Sequence, residues 1–437
     1  MLTKTNYEET NGKPKYFSRI APYNSYYLFL LQYELDKRMY HFGDHFKGHR
    51  EVRVGFIANL ITILRRHLKG IFLSFKFLGH KPSASLKIWS TAYFRVDDHF
   101  RGTQYMIARP PWSPGVRSKI LFNYKLYRHT VRIKNTIEFG EVRSLMSESF
   151  FNEIRDYRSV LKKFIIENNV RAVFLHENMS FFEKLVCGIM SDLRRPTFLF
   201  NHGLPYYLKS CDNLSDYFVV WGEAVKRNYV KVGFNEDRIL VSGHPAYLLH
   251  NEIKLKFEFS DILVLTKSMN GIPFCDYYTL RDRAYCIVYL NMIQDVLMTL
   301  GVKKSRFRPH PSENVEWFLK YVDNNFYFVD RESLPDSLAR TTLVIGPTST
   351  VFLESLYKSV NYVVFEPRIG KNYTFDTSLP TPPFDGSDER IPCAVSVEEL
   401  HDILTNKKKV DEKVLFDYVS RSFVNKEILD IIDASVH

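Results

Sequence analysis

The sequence predicts an α/β protein built of two Rossmann-like halves facing each other across a cleft. Three observations predict it: short continuous apolar runs that recur from residue 170 onward, helix-like stretches between them, and a charged interruption at 249–260 after which the alternation begins again. Continuous rather than alternating apolar runs are what a parallel sheet covered on both faces selects, because each of its strands buries both sides. At 437 residues and 45% hydrophobic content the chain is long enough for two or three domains with real cores.

In the first series the runs are VRAVFLHEN (170–178), PTFLFNHG (196–203), DYFVVWGE (216–223) and RILVSGHP (238–245), with FFEKLVCGIMSDL as a helical connection. The second series starts with DILVLTK (261–267). It continues through a long helical stretch at about 276–300, then KKSRFRPHP, NFYFVDR, TLVIGPTSTVFLESLY and VNYVVFEP. EKVLFDYVSRSFVNKEILDIIDAS has helical spacing and suits a terminal helix that packs back on the first half. The expected units are therefore 1–248, 249–410 and 411–437. In such sheets ligands bind beyond the carboxyl ends of the strands, so the polar clusters that end each run are the candidates for chemistry.

Charge divides the chain. Residues 1–200 hold 33 Lys and Arg against 17 Asp and Glu, a balance of +16, and residues 201–437 hold 27 against 32, a balance of −5; together they give the net +11. A basic half implies an anionic surface nearby. No RNA- or DNA-binding signature accompanies the basic residues, so nucleic acid is not the expected partner. FIANLITILRRHLKGIFLSFKFLG (56–79) is apolar but carries Arg65, Arg66, His67, Lys69 and Lys76, which forbid a transmembrane span. It suits either a helix lying on an anionic leaflet or a core helix with a solvated face. The five cysteines are widely spaced without a CxxC, so neither a disulfide framework nor a zinc site is indicated and a reducing compartment is expected. The polar N-terminus lacks the apolar core of a signal peptide, so cytoplasmic residence is expected, peripheral at the inner face of the plasma membrane if the basic half meets lipid.

Two strand-end clusters stand out in the second half. In VIGPTSTVFLESL a buried strand ends in Gly346-Pro347, and Thr348, Ser349 and Thr350 open a helix, an arrangement suited to an anion or to plain N-capping. Glu354, further along that helix, is placed to accept from ribose hydroxyls. In RFRPHPSEN the prolines restrict the backbone on both sides of His310, which can donate to a phosphate oxygen, with Arg308 adding charge. Lys267 ends the first strand of this half. In the first half, Glu177 and His202 are the candidate general bases for an acceptor hydroxyl, His202 being followed by Gly203 and Lys209. Gly243, His244 and Pro245 read as a hinge. No DxD motif ends a strand, so neither a metal ion nor another cofactor is called for.

The order NHGLP, WG, SGHP, a strand ending in TK, RPHP and GPTSTVFLE resembles GT-B glycosyltransferases of bacterial surface polysaccharide synthesis (capsule, lipopolysaccharide or O-antigen). Among these it is most similar to the users of CMP-activated donors: sialyltransferases, polysialyltransferases and Kdo transferases. The resemblance spans about residues 165–370. It implies a metal-independent inverting transfer in which His310-Pro311 and Ser349-Thr350 contact the CMP phosphate, and an acidic base from the N-terminal domain. That base usually sits in a D/E-D/E-G motif, from which His176-Glu177-Asn178 departs. NHGLPYYLK also resembles the HG-x-P-x-K segment of CDP-glycerol or CDP-ribitol phosphotransferases of teichoic-acid type, which would make His202 the base. Those enzymes carry D-Y-S-S followed by Asp, where this chain has Gly-Pro-Thr-Ser-Thr and Glu354. UDP-sugar transferases, a UDP-GlcNAc 2-epimerase-like hydrolase and a non-catalytic glycan-assembly scaffold remain alternatives. The expected partners are a nucleotide sugar, a CMP-sugar foremost, and a glycan or lipid-linked glycan acceptor.

Overall fold

The computed structural model describes residues 25–42, 56–76, 85–92, 94, 96–113, 123–140, 142–178, 180–201, 203–204, 214–249, 253–266, 280–311, 315–369, 372–373 and 383–435. The N-terminal polar stretch, His202, Lys209 and Lys267 lie outside the described residues. The first sheet consists of β1 (Leu86–Ser90), β2 (Tyr105–Ala108), β3 (Val170–Leu175), β4 (Thr197–Phe200), β5 (Tyr217–Val220) and β6 (Ile239–Val241), in the order β2-β1-β3-β4-β5-β6. The second consists of β7 (Ile262–Leu265), β8 (Ser305–Arg308), β9 (Tyr327–Val329), β10 (Leu343–Gly346), β11 (Asn361–Phe365) and β14 (Cys393–Ala394), in the order β14-β11-β10-β7-β8-β9. Every pairing within these two sheets is parallel. The remaining strands, β12 (Arg368–Ile369) and β13 (Asn372–Tyr373), form a small antiparallel pair. This is the α/β architecture of two Rossmann-like halves expected from the sequence.

The strand order fixes where a ligand belongs. In the first sheet it reverses between β1 and β3, and in the second between β7 and β10. At such a switch point the flanking connections leave in opposite directions and open a crevice at the carboxyl ends. Strands β1 and β2 were not among the expected ones, and β1 shows why. Its second residue, Lys87, breaks the apolar run, yet it is fully buried because its ammonium donates to Ser85 O and Asn168 O, each at 2.9 Å.

The stretch expected as one terminal helix is two helices, Lys413–Tyr418 and Lys426–Ala434. Between them the chain runs along the ends of β5 and β6: Ser420 N donates to Trp221 O and Val424 N to Ser242 O, both at 2.7 Å. Satisfying those donors in the ladder-like contact outweighs continuing the helix. The second helix buries Ile428 and Ile432 against Ile88, Phe174, Phe198 and Leu240, covering one face of the first sheet. On the other face one continuous core runs from Trp89, Leu161 and Val220 to Val344, Phe352 and Tyr362, so the two halves are packed against each other.

Candidate functional site

At the carboxyl end of the second sheet, Gly346 and Thr348 are committed to holding the turn. A Cβ on Gly346 would lie 2.3 Å from the Tyr362 hydroxyl, which donates to Pro347 O at 2.5 Å. Thr348, 4% exposed, donates both its backbone N–H and its hydroxyl to Glu366 Oε1, each at 2.7 Å. Both donors of Thr348 are therefore used in holding the turn. Thr350 is spent across the molecule: its Oγ1 accepts from Leu204 N at 2.9 Å, and a Cβ on Gly203 would approach it to 2.7 Å. Ser349 differs. Its Oγ accepts from Val351 N at 3.2 Å, a bond that leaves its own proton for donation. The helix that follows, Val351–Tyr357, has only seven residues, so the expected dipole contribution to an anion site is small.

The neighbouring strand ends converge on the same switch point. Thr266, one residue past β7, donates its N–H to Arg308 O at 3.3 Å, and its buried hydroxyl has no partner among the described residues. Arg308 donates to Asp330 Oδ2 at 2.7 Å and to Glu332 O at 2.8 Å. Burial pushes Asp330 up, but hydrogen bonds from Ser337 and Arg308 and the charges of Arg308 and Arg306 bring it below the usual carboxylate range. Burial pushes Glu354 up, against the opposing pull of the Arg308 charge, so these two side chains sense each other. His310 and Pro311 are exposed beyond β8. Chain around the His310 imidazole displaces water and lowers its pKa.

At the end of β3 in the first half, Glu177 accepts from Ser180 N at 3.0 Å and from the Ser180 hydroxyl, Ser180 being the residue that precedes the helix Phe181–Asp192. The Ser180 hydroxyl also reaches Glu183 Oε2, and Trp112 Nε1 donates to Glu183 Oε1 at 2.9 Å. Ser180 has one proton and stands between two carboxyl groups. A second proton has to come from one of them. Burial and the adjacent Glu177 push Glu183 up to about 7, which makes it the holder of that proton. Sequence reasoning missed Glu183; the available signal was an acid in the first turn of a largely apolar helix beside a strand end. Two further polar groups end strands here: His176 Nδ1 and Asn201 Nδ2 are buried without partners among the described residues.

The segment expected to be a hinge is a packed joint. Gly243 has φ +82°, and a Cβ there would lie 2.5 Å from Ser422 O. His244 is buried between Phe94 and Trp221 and stacks on Tyr247 with ring centroids 3.8 Å apart; Ala246 N donates to its Nδ1 at 3.0 Å. Burial lowers its pKa to about 3, so it stays neutral. Tyr247 in turn stacks on Tyr357 of the second half at 4.7 Å. The halves thus touch at Tyr247–Tyr357 and at Leu204–Thr350. Among the described residues no group of three or more His, Cys, Asp or Glu is placed to hold a metal ion.

No protein-family model matches the chain and no curated protein matches its sequence. Solved structures resemble it at low identity. The UDP-GlcNAc 2-epimerase of Methanocaldococcus jannaschii, in complex with UDP-GlcNAc and UDP, is 11% identical with a TM-score of 0.46, covering 80% of this chain and 99% of that one. Anabaena HepE in complex with UDP is 10% identical, with a TM-score of 0.44 over 80% of this chain and 100% of that one. The lipopolysaccharide outer core galactosyltransferase WaaB is 10% identical, with a TM-score of 0.37 over 65% and 80%. Likeness of this order is one of architecture and does not extend to substrate; the two-sheet arrangement itself stands on the strand order described above.

Proposed function

We propose that the chain is a glycosyltransferase that moves a sugar from a nucleotide donor to a hydroxyl of a surface glycan. The donor would sit at the carboxyl ends of β7, β8 and β10, and the acceptor would be presented by the first half. The observation that most supports this is the bond from Leu204 N to Thr350, which sets Leu204, past the end of β4 in one sheet, onto the GPTST turn of the other. In this reading the candidates from both halves share one cleft. The motif resemblance of His310-Pro311 and Ser349-Thr350 favours a CMP-activated ulosonic acid of the Kdo or sialic acid type, carried to a glycan or lipid-linked glycan on the cytoplasmic side of a membrane.

In this reading the acceptor oxygen gives its proton to Glu177 and forms a bond to the anomeric carbon on the face opposite the phosphate. The anomeric carbon–oxygen bond breaks, and the nucleoside phosphate leaves with the electron pair. Burial and the neighbouring Glu177 push Glu183 up, and the reading takes Glu177 as the accepting group of the two. His310 and the Ser349 hydroxyl donate to the departing phosphate, and Arg308 contributes charge, so the leaving group is neutralised by the protein itself. Thr266 and Glu354 are the positions for contacts to the rest of the nucleotide. Residues 1–248 and 249–410 are taken as the two walls of the cleft, and 411–437 as the segment that ties them.

A second reading, transfer of a polyol phosphate from a CDP-polyol with His202 as base, draws on the same loop, since Gly203 and Leu204 lie against Thr350. The test is isotopic transfer and donor hydrolysis with a panel of CMP-, UDP- and GDP-sugars and CDP-polyols. Turnover with a CMP-sugar is expected. Turnover restricted to UDP-sugars would keep glycosyl transfer and remove the CMP preference; turnover restricted to CDP-polyols would select the second reading. Tight glycan binding without turnover of any donor would leave a scaffold and end the enzymatic reading.

A further inference from the structure

The helix Phe56–Lys76 is mounted with its apolar side outward. Its inner face is fixed on the helix Tyr124–Phe139. Leu73 is buried with Tyr127 and Val131, and Gly70 lies so close to Tyr127 that a Cβ would approach the ring to 2.6 Å. Arg66 donates to Asn135 Oδ1 at 2.6 Å and to Glu138 Oε2 at 2.5 Å, and the Tyr127 hydroxyl donates to Arg66 O at 3.1 Å. The outer face carries Leu60, Ile61, Leu64, Leu68, Ile71, Phe72 and Phe75, which are 43–71% exposed. At about 100° per residue these positions fall within roughly 120° of arc, a continuous stripe about 22 Å long. A core helix shows the reverse orientation, with the wide apolar stripe turned inward and the charges outward.

Charge indicates what covers the stripe. The helix contains no acidic residue, and Arg65 and His67 are exposed on the two flanks of the stripe. Lys125 and Arg128 of the supporting helix are exposed as well, and the first 200 residues carry +16. Two copies of this face would set one basic stripe against another, so self-association is opposed by its own charge. No helix among the described residues is long and apolar enough to cross a membrane. We propose that this face docks in the plane of an anionic lipid bilayer, its Leu, Ile and Phe side chains entering the acyl boundary and its Arg and Lys side chains meeting the headgroups. The inference is independent of the chemistry assigned to the cleft.

The test uses the full chain with sedimented vesicles of phosphatidylcholine alone or mixed with phosphatidylglycerol. Binding to the anionic vesicles is expected, weakened at least tenfold by the combined substitutions Leu64→Ser, Phe72→Ser and Phe75→Ser, and weakened by salt. The side chains replaced are exposed, and an unchanged unfolding midpoint confirms that the variant is folded. Phe75→Trp supplies a second readout: its emission should shift to the blue and be quenched by lipids brominated in the acyl chains. Equal binding to neutral vesicles would overturn the anionic requirement. Absence of binding to any vesicle, or a concentration-dependent dimer abolished by the triple substitution, would overturn the proposal, the latter in favour of a second copy as the occupant.

Discussion

Beyond β3, Glu177, Ser180, Glu183 and Trp112 are hydrogen-bonded to one another, and beyond β5 and β6 the space next to Gly222 and Gly243 is filled by residues 417–423. Beyond β7 and β10 the arrangement is looser: Thr266 has a buried hydroxyl with no partner among the described residues, and Ser349 keeps a proton. The contrast separates two ways of preparing a site. A closed network holds a proton and a geometry without rearrangement. An incomplete set of donors is stable only where water or a charged ligand completes it. On the proposed reading the first half does acid–base work on an acceptor and the second takes an anion.

The largest effect that would sharpen this contrast comes from two arginines on one strand. Arg306 is buried and bonded to Asp261 Oδ1, Ser337 Oγ and Thr341 Oγ1 at 2.6–2.7 Å, with Asp330 at 3.5 Å. Arg306→Ala leaves the buried Ser337 and Thr341 hydroxyls without their donor and removes one of the two charges facing Asp330, and should lower stability by about 3–5 kcal/mol in urea unfolding. Arg308→Ala, at a partly exposed pair, should cost far less stability and act on donor binding instead; equal losses would erase the distinction between the scaffold and the site.

Next, His310→Ala should reduce kcat by about 10²-fold with an unchanged unfolding midpoint. A near wild-type rate would remove it from the chemistry. Third, Gly243→Ala should destabilise by about 1–2 kcal/mol from its left-handed backbone alone, more from the contact with Ser422, while leaving nucleotide binding intact. A matching loss of nucleotide affinity would mean that the filled end of the first sheet is not merely structural.

A further effect is one of pH. A carboxyl raised to about 7 by burial and by Glu177 stabilises the fold fully below the ordinary glutamate range of about 4.3, and that contribution is lost as pH rises to about 7. The wild type should therefore lose stability across this window relative to Glu183→Gln. Parallel pH profiles would show that Glu183 does not hold the proton of the pair.

The strands β3–β7, β10 and β11 were legible because each is a continuous apolar run ended by Gly, Pro or a polar cluster, and β8 and β9 were expected from KKSRFRPHP and NFYFVDR although SRFR is half arginine. β1 was hidden by Lys87, whose burial depends on carbonyl acceptors at Ser85 and Asn168 that no local pattern displays. The RPHP and GPTST turns were legible through their prolines and glycine. Which hydroxyl each turn leaves for a ligand was not: Thr348 is spent on Glu366, eighteen residues on, and Thr350 on Leu204 in the other half. Glu183 was masked by its apolar neighbours, and Gly243 by a partner that lies far along the chain.

The covering of the first sheet by Ile428 and Ile432 has a consequence for biosynthesis. A nascent chain that has already produced β1 to β6 cannot close that face, because its lid is still to be translated. Ile88, Phe174, Phe198 and Leu240 remain presented to solvent, or to a holdase chaperone, until the ribosome has delivered residues more than 180 positions downstream of β6. The half that is made first is in this sense the half that matures last.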